Sequence, residues 1–155
     1  MNVIALTRIS TIRFPLLSAW SHRDSPCILL STTLTGPIIV TDATPISRTT
    51  AEHYAWGQSC DGWHLVRAAG LSIIEERMPP GTSEVRHWHA RSRQFFYVVS
   101  GTLSMEVEGV RHELGPRTGI ELAPGLAHQA RNASEADVEF LVVSLPPSHG
   151  DRHEA

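Results

Sequence analysis

Cysteine is scarce in this chain: Cys27 and Cys60 are the only two in 155 residues. Two are too few for a disulfide framework, and their spacing fits no zinc motif, so two free thiols in a reducing compartment are expected. Long apolar runs are missing as well. None approaches the ~20 residues of a membrane helix, so no membrane partner is expected. Basic runs are also absent. The net charge is -3, with no Lys/Arg-rich stretch to neutralise phosphates, which argues against a nucleic-acid partner. What remains is a chain of one-domain length, 41% hydrophobic, able to bury a modest core.

The N-terminus reads differently from the rest. Residues 1–23 carry Arg8, Arg13 and Arg23, several Ser and Thr, and no acid before Asp24. That composition resembles a mitochondrial transit peptide, whereas Phe14-Pro15-Leu16-Leu17 is too short and interrupted for a secretory core. Two plainer readings stand beside it: a disordered extension, or a start codon placed too far upstream. The expected location is cytoplasmic, with a mitochondrial one as the alternative. Residues 1–45 show no periodicity, and Gly36-Pro37 and Thr44-Pro45 break the chain. They are read as a poorly ordered arm, with Ile38–Val40 its candidate strand. Ser47–Tyr54 can hold a short helical turn. The folded domain is placed at 46–148, and 149–155 is read as a tail.

From Trp63 onward, short alternating runs are separated by Gly and Pro. Strands are expected at Trp63–Arg67, Leu71–Met78, Val85–His89, Gln94–Ser100, Leu103–Val107, Arg111–Leu114, Gly119–Leu122, His128–Asn132 and Val138–Leu145. Leu103–Val107 alternates apolar and polar at period two, and Glu108-Gly109 after it suits a tight hairpin. Many short strands with regular turn signals mean an all-β sandwich or barrel.

Nine histidines make metal chemistry worth seeking. His87 and His89 are two apart on one expected strand, so both project from the same face, with Trp88 on the other. Gln94 opens the next strand and can return to that face. Pro124-Gly125 turns the chain into a strand beginning near His128. If that strand lies beside the first pair, His128 is a third nitrogen donor. Three nitrogens and an amide oxygen leave open positions for water or substrate. A plainer reading makes Gln94 a strand residue bonded to backbone, with three histidines and water on the metal.

The segment from Gly81 through His87, His89 and Gln94 to Gly101 resembles the first motif of the cupin superfamily, Gly-x5-His-x-His-x3–4-Glu-x6-Gly, with Gln94 where Glu is usual. Gly125, His128 and Asn132 match the second motif; Ala123 stands at its Pro position and Arg117 at its earlier Gly. The motifs span 81–132, and the strand pattern extends the resemblance to about 63–145. The resemblance implies an all-β double-stranded β-helix, the cupin jelly-roll barrel. It also implies one divalent metal ion (Zn, Fe, Ni, Mn or Cu) on His87, His89, Gln94 and His128, and a homodimer. Ligand type does not select the metal, because imidazole suits several.

Phe96 and Val98 share the parity of Gln94 and should line an apolar pocket, with Phe95 and Tyr97 on the far face. On Leu71–Met78, either Glu75 and Arg77, or Ile74, Glu76 and Met78, face inward. A charge pointing inward is a general acid/base or half of a salt bridge. Trp56, Trp63 and Trp88 read as core or dimer contacts. His112 reads as a surface or satisfied residue, His53 and His64 as residues able to reach a pocket mouth, and His22, His149 and His153 as tail residues. Asn132-Ala133-Ser134 has the form of a glycosylation acceptor, but without a visible leader no modification is expected there.

Three functions fit: a metal-dependent enzyme acting on a small organic molecule, a non-catalytic small-molecule binder or sensor, and a metal-free isomerase using His and Tyr. The enzyme would carry out Lewis-acid cyclisation or isomerisation, or dioxygen chemistry. Gln94 removes a negative charge from the expected ligand shell, which favours Lewis-acid chemistry. Metal-dependent polyketide-cyclase cupins are one group this resemblance brings forward.

Overall fold

A computed structural model describes residues 43–155. The expected arm, with its Ile38–Val40 strand, Cys27 and His22, lies almost wholly outside them. Eleven strands follow in order among the described residues, without a helix: β1 Glu52–Trp56, β2 Cys60–Ala68, β3 Leu71–Met78, β4 His87–His89, β5 Arg93–Ser100, β6 Leu103–Val107, β7 Val110–Leu114, β8 Gly119–Leu122, β9 His128–Arg131, β10 Val138–Leu145 and β11 Arg152–Glu154. They form two antiparallel sheets, ordered β1-β2-β3-β10-β5-β8 and β11-β4-β9-β6-β7. This is the expected all-β double-stranded β-helix.

The cause is period-two patterning. On β10, Val138, Phe140, Val142 and Ser144 are buried and the residues between them are not. On β5, Gln94, Phe96 and Val98 point inward while Phe95 stays 41% exposed. Met78, Leu103, Met105, Leu114, Leu122 and Ala130 fill the space between the sheets. Phe140 is fully buried, so truncating it to alanine would cost about 3–5 kcal/mol. Glu108 and Gly109, at φ 49° and 83°, make the tight β6–β7 hairpin.

Three differences from the sequence reading matter, and one expectation, at Asn132, is met. The turn expected over Ser47–Tyr54 is one turn only: Ala51 N–H donates to Ser47 O at 2.8 Å, and the chain is extended from Glu52. β1 was not anticipated, because it is a largely exposed edge strand without apolar alternation. Residues 149–155, expected as a tail, instead supply β11, which pairs with β4 from Arg152↔His89 to Glu154↔His87. Three exposed residues held by backbone bonds leave no hydrophobic signal. Asn132 is fully buried and its amide nitrogen donates to Met78 O (2.7 Å) and Ala136 O (2.8 Å), so it is a structural bracket and not an accessible glycosylation site.

Candidate metal centre

β4 presents His87 and His89 on its inner face, as spacing two requires, and β9 lies alongside with His128 directly opposite His87. One ring nitrogen from each histidine lies within 4.8 Å of the others. All three are buried, at 2%, 5% and 1% exposure. Three histidines are thus positioned to bind a metal ion.

Their hydrogen bonds select one tautomer. Nδ1–H of His87 donates to Val85 O at 3.0 Å, that of His89 to Asp151 O at 3.1 Å, and that of His128 to Leu126 O at 2.9 Å. Each Nε2 therefore carries its lone pair. Nε2 of His89 and of His128 is buried without a partner. Burial, then the neighbouring His128 and Arg152, pushes His87 down to about 3, and burial is also the first cause lowering His89 and His128. All three are neutral donors at neutral pH.

Gln94 enters from β5, 5% exposed. Its amide nitrogen donates to Ser144 Oγ at 3.3 Å, while its Oε1 is buried without a partner. Gln94 lines the same cavity as His87 and His89, and its unsatisfied buried carbonyl oxygen, like the unpartnered imidazole nitrogens, costs free energy that a cation would recover. The donor set fits a divalent ion.

His87, His89 and Gln94 line a cavity of about 270 Å³; His128, its ring centroid 4.3 Å from that of His87, is not among the lining residues. Phe96, Ile74, Val142 and Trp56 form an apolar wall, while Tyr54, Glu76, Glu84, His149 and Arg152 add polar groups. Phe96 is where the parity argument places it. Val98 is not on the wall: it pairs with Phe140 one step deeper along β5 and is fully enclosed in the core. The inward set on β3 is Ile74, Glu76 and Met78. Glu75 faces out to Arg48 at 2.7 Å, and Arg77 to Asp61 at 2.6 Å and Asp137 at 2.7 Å.

Glu76 accepts a hydrogen bond from the Tyr54 hydroxyl at 3.1 Å. Tyr54 pairs with Gly62, and Gly62 with Glu76, so the phenol on β1 crosses β2 where β2 has no side chain. A Cβ on Gly62 would lie 2.3 Å from Tyr54 Cζ. Burial, then Glu84, pushes the Glu76 carboxyl up to about 8, and burial pushes Glu84 up to about 7 against the pull of Arg152. Glu84 Oε2 stands 3.8 Å from His87 Nδ1.

Spacing alone did not reveal Glu84, Tyr54, His149 or Arg152. His149 lines the cavity and His153 stacks on Trp88 at 4.4 Å. His64 stacks on Tyr54 at 5.0 Å without lining the cavity, His53 bonds to Asp61 at 2.8 Å on the outside, and His112 is exposed. Trp63 lies beneath Arg48 at 4.5 Å. Cys60 is a buried free thiol.

Residues 74–144 match the family model described as a cupin domain. The chain is 27% identical over 89 residues to an uncharacterized protein of Methanocaldococcus jannaschii, covering 57% of this chain and 71% of that one. It is 31% identical over 78 residues to polyketide synthase CurC of Streptomyces cyaneus, covering 50% of this chain and 47% of that one. The match thus spans about half of the Streptomyces protein. Among solved structures, the polyketide cyclase RemF from Streptomyces resistomycificus superposes with a TM-score of 0.64 at 19% identity, covering 73% of this chain and 85% of that one. A cupin-superfamily sugar phosphate isomerase from Silicibacter pomeroyi gives 0.61 at 19%, covering 67% and 76%. At such identities these structures show the fold alone. The family model covers the strands that carry the three histidines, so residues 74–144 match a cupin domain, and these neighbours share its fold.

Proposed function

We propose that this cupin is a metal-dependent enzyme performing redox-neutral proton-transfer chemistry, an isomerisation or cyclisation, on a small organic molecule that bears a carbonyl group. The observation behind this reading is a set of uncharged donors, His87, His89 and Gln94, lining one cavity with the Tyr54–Glu76 pair, and His128 opposite His87 on the neighbouring strand. A divalent ion held there would supply a Lewis acid whose charge no ligand carboxylate reduces.

The chain's own residues supply the rest. Phe96, Ile74, Val142 and Trp56 exclude water from one side of the substrate. Glu76 holds or accepts a proton at its carboxyl, with a raised pKa suited to both directions near neutrality. Tyr54 fixes that carboxyl in orientation.

The test begins with elemental analysis of protein purified without chelator. The loaded protein is then incubated in D2O with a panel of enolisable 1,3-dicarbonyl and 2-oxo acid compounds, following α-proton exchange by NMR beside an oxygen electrode. Exchange without oxygen uptake is expected, falling by roughly 10²–10⁴-fold in Glu76→Gln with metal content retained. Stoichiometric oxygen uptake overturns the redox-neutral reading. Saturable binding of panel members with no exchange or product favours a binding or sensing role.

A further inference from the structure

We infer that Asp151 is a positioning residue for the metal centre, and that the C-terminal strand acts through it as a clasp on His89. The inference rests on the metal reading above. Asp151 is 4% exposed, in a segment with no apolar reason to be buried. Its backbone carbonyl accepts the Nδ1–H of His89 at 3.1 Å. Its carboxylate oxygen Oδ2 accepts two backbone N–H groups, from Arg91 at 2.9 Å and Ser92 at 2.8 Å. Those amides belong to the turn joining β4, which carries His87 and His89, to β5, which begins with Arg93 and Gln94. One residue thus ties the imidazole of one ligand to the turn that sets the spacing between ligand strands.

Further contacts hold the clasp in place. Ser92 Oγ donates to Pro146 O at 2.7 Å, Asp151 N to Ser148 O at 3.1 Å, and Ala155 N to Arg86 O at 3.1 Å. Arg152 donates to Val85 O at 3.0 Å, the carbonyl that also accepts His87 Nδ1–H. The C-terminal segment therefore reaches two of the three histidines. Arg91 Nε, 3.4 Å from Oδ1 on a side chain 74% exposed, adds little. Two charge-assisted bonds to backbone amides, the Ser92 bond buried and the Arg91 bond partly so, are the strong part of the device. Removing the carboxylate leaves those amides unsatisfied and releases the turn, so the Asp151 carbonyl shifts and His89 loses its fixed tautomer. Outer-shell partners of metal-bound histidines typically contribute 10–100-fold in affinity.

The experiment uses the full chain, stripped of metal by chelator and titrated with Co(II) against a chromophoric competitor. Long-range 1H–15N spectra of the histidine rings are recorded on the metal-free protein. Asp151→Ala is expected to bind Co(II) about 10–100-fold more weakly, with an altered visible Co(II) spectrum and a mixed His89 tautomer. Asp151→Asn keeps an oxygen where both amides converge and should recover most of the loss. Folded Asp151→Ala protein with wild-type affinity, Co(II) spectrum and His89 tautomer overturns the inference while leaving the metal reading intact. If the alanine variant does not fold, the asparagine variant decides. A modest weakening with a partly mixed tautomer supports the clasp, and behaviour identical to wild type overturns it. Wild-type protein that binds neither Co(II) nor Zn(II) overturns the metal reading and the clasp together.

Discussion

Tyr54 on β1 and Glu76 on β3 meet across a strand that lies between them, their hydroxyl–carboxyl hydrogen bond of 3.1 Å passing over Gly62. Gly62→Ala should break this contact specifically. The added Cβ would stand 2.3 Å from Tyr54 Cζ and 2.6 Å from its hydroxyl. The ring end can swing away, so the loss falls on the hydrogen bond and not on the backbone. Chemical denaturation should show a cost of about 1 kcal/mol. The same substitution in a Tyr54→Ala background should cost less, and equal cost in both backgrounds would show that Tyr54 is not what the methyl meets.

The three histidines should behave as one set. His87 and His128 are cross-strand partners with ring centroids 4.3 Å apart, and His89 lies 5.0 Å from His87. No other His, Cys, Asp or Glu joins their cluster among the described residues. Each single His→Ala should therefore lower metal affinity by roughly 100-fold or more, beyond the range for losing an outer-shell partner. Metal content after dialysis against a weak chelator measures it. Wild-type content in all three variants would remove the metal from this site.

Much of the architecture was legible because most strands that face the core follow period two; Ser104, buried between Leu103 and Met105 on β6, and the bulge between His64 and Val66 on β2 depart from it. β3, β6, β8 and β10 have the bounds their alternation predicts. His87 and His89 were legible on one face for the same reason: spacing two on a strand admits one geometry. Where both faces of a strand carry charge, alternation says nothing. Glu75, Glu76 and Arg77 read alike, and only β1, which brings Tyr54 across Gly62, and the surface partners Arg48, Asp61 and Asp137 decide that Glu76 is inside. Val98 had the right parity and the wrong depth, since alternation assigns a face but not a height in the barrel. β11 was invisible because backbone bonding to β4, not apolar burial, holds it there.

Glu76 gives the metal-free protein a pH dependence of definite sign. Its carboxyl rises from 4.5 to about 8 on folding. Between those values the folded chain keeps a proton that the unfolded chain has released, so stability is lost as pH rises. His87, lowered from 6.5 to about 3, acts in the opposite direction and only below 6.5. From pH 6.5 to 8 the carboxyl acts without that opposition. Chelator-treated protein should lose about 1–2 kcal/mol over that window, and Glu76→Gln should flatten the loss. Parallel pH profiles for the two proteins in thermal or urea denaturation would show that Glu76 is not protonated in the fold.

Gln94→Glu should separate metal affinity from metal chemistry. Gln94 Oε1 is buried without a partner, and its amide nitrogen reaches only Ser144 Oγ, at 3.3 Å. A carboxylate fits the same volume, and the Ser144 hydroxyl can turn to donate to it. Without metal the substitution buries a charge among neutral histidines, so the apoprotein should be less stable than wild type at neutral pH. With a divalent ion bound, the same charge is neutralised at close range, so affinity should rise by at least roughly tenfold, the factor for about 1.4 kcal/mol. The added charge also reduces the ion's pull on a bound carbonyl, so redox-neutral turnover should fall while occupancy rises. Competition with a chelator gives the affinity and the D2O exchange assay gives the turnover. Unchanged affinity in Gln94→Glu would show that position 94 does not touch the ion and that three histidines alone hold it. Higher affinity with unchanged or faster exchange would show that the charge of the ligand shell does not limit the chemistry, and would remove the argument for Lewis acidity.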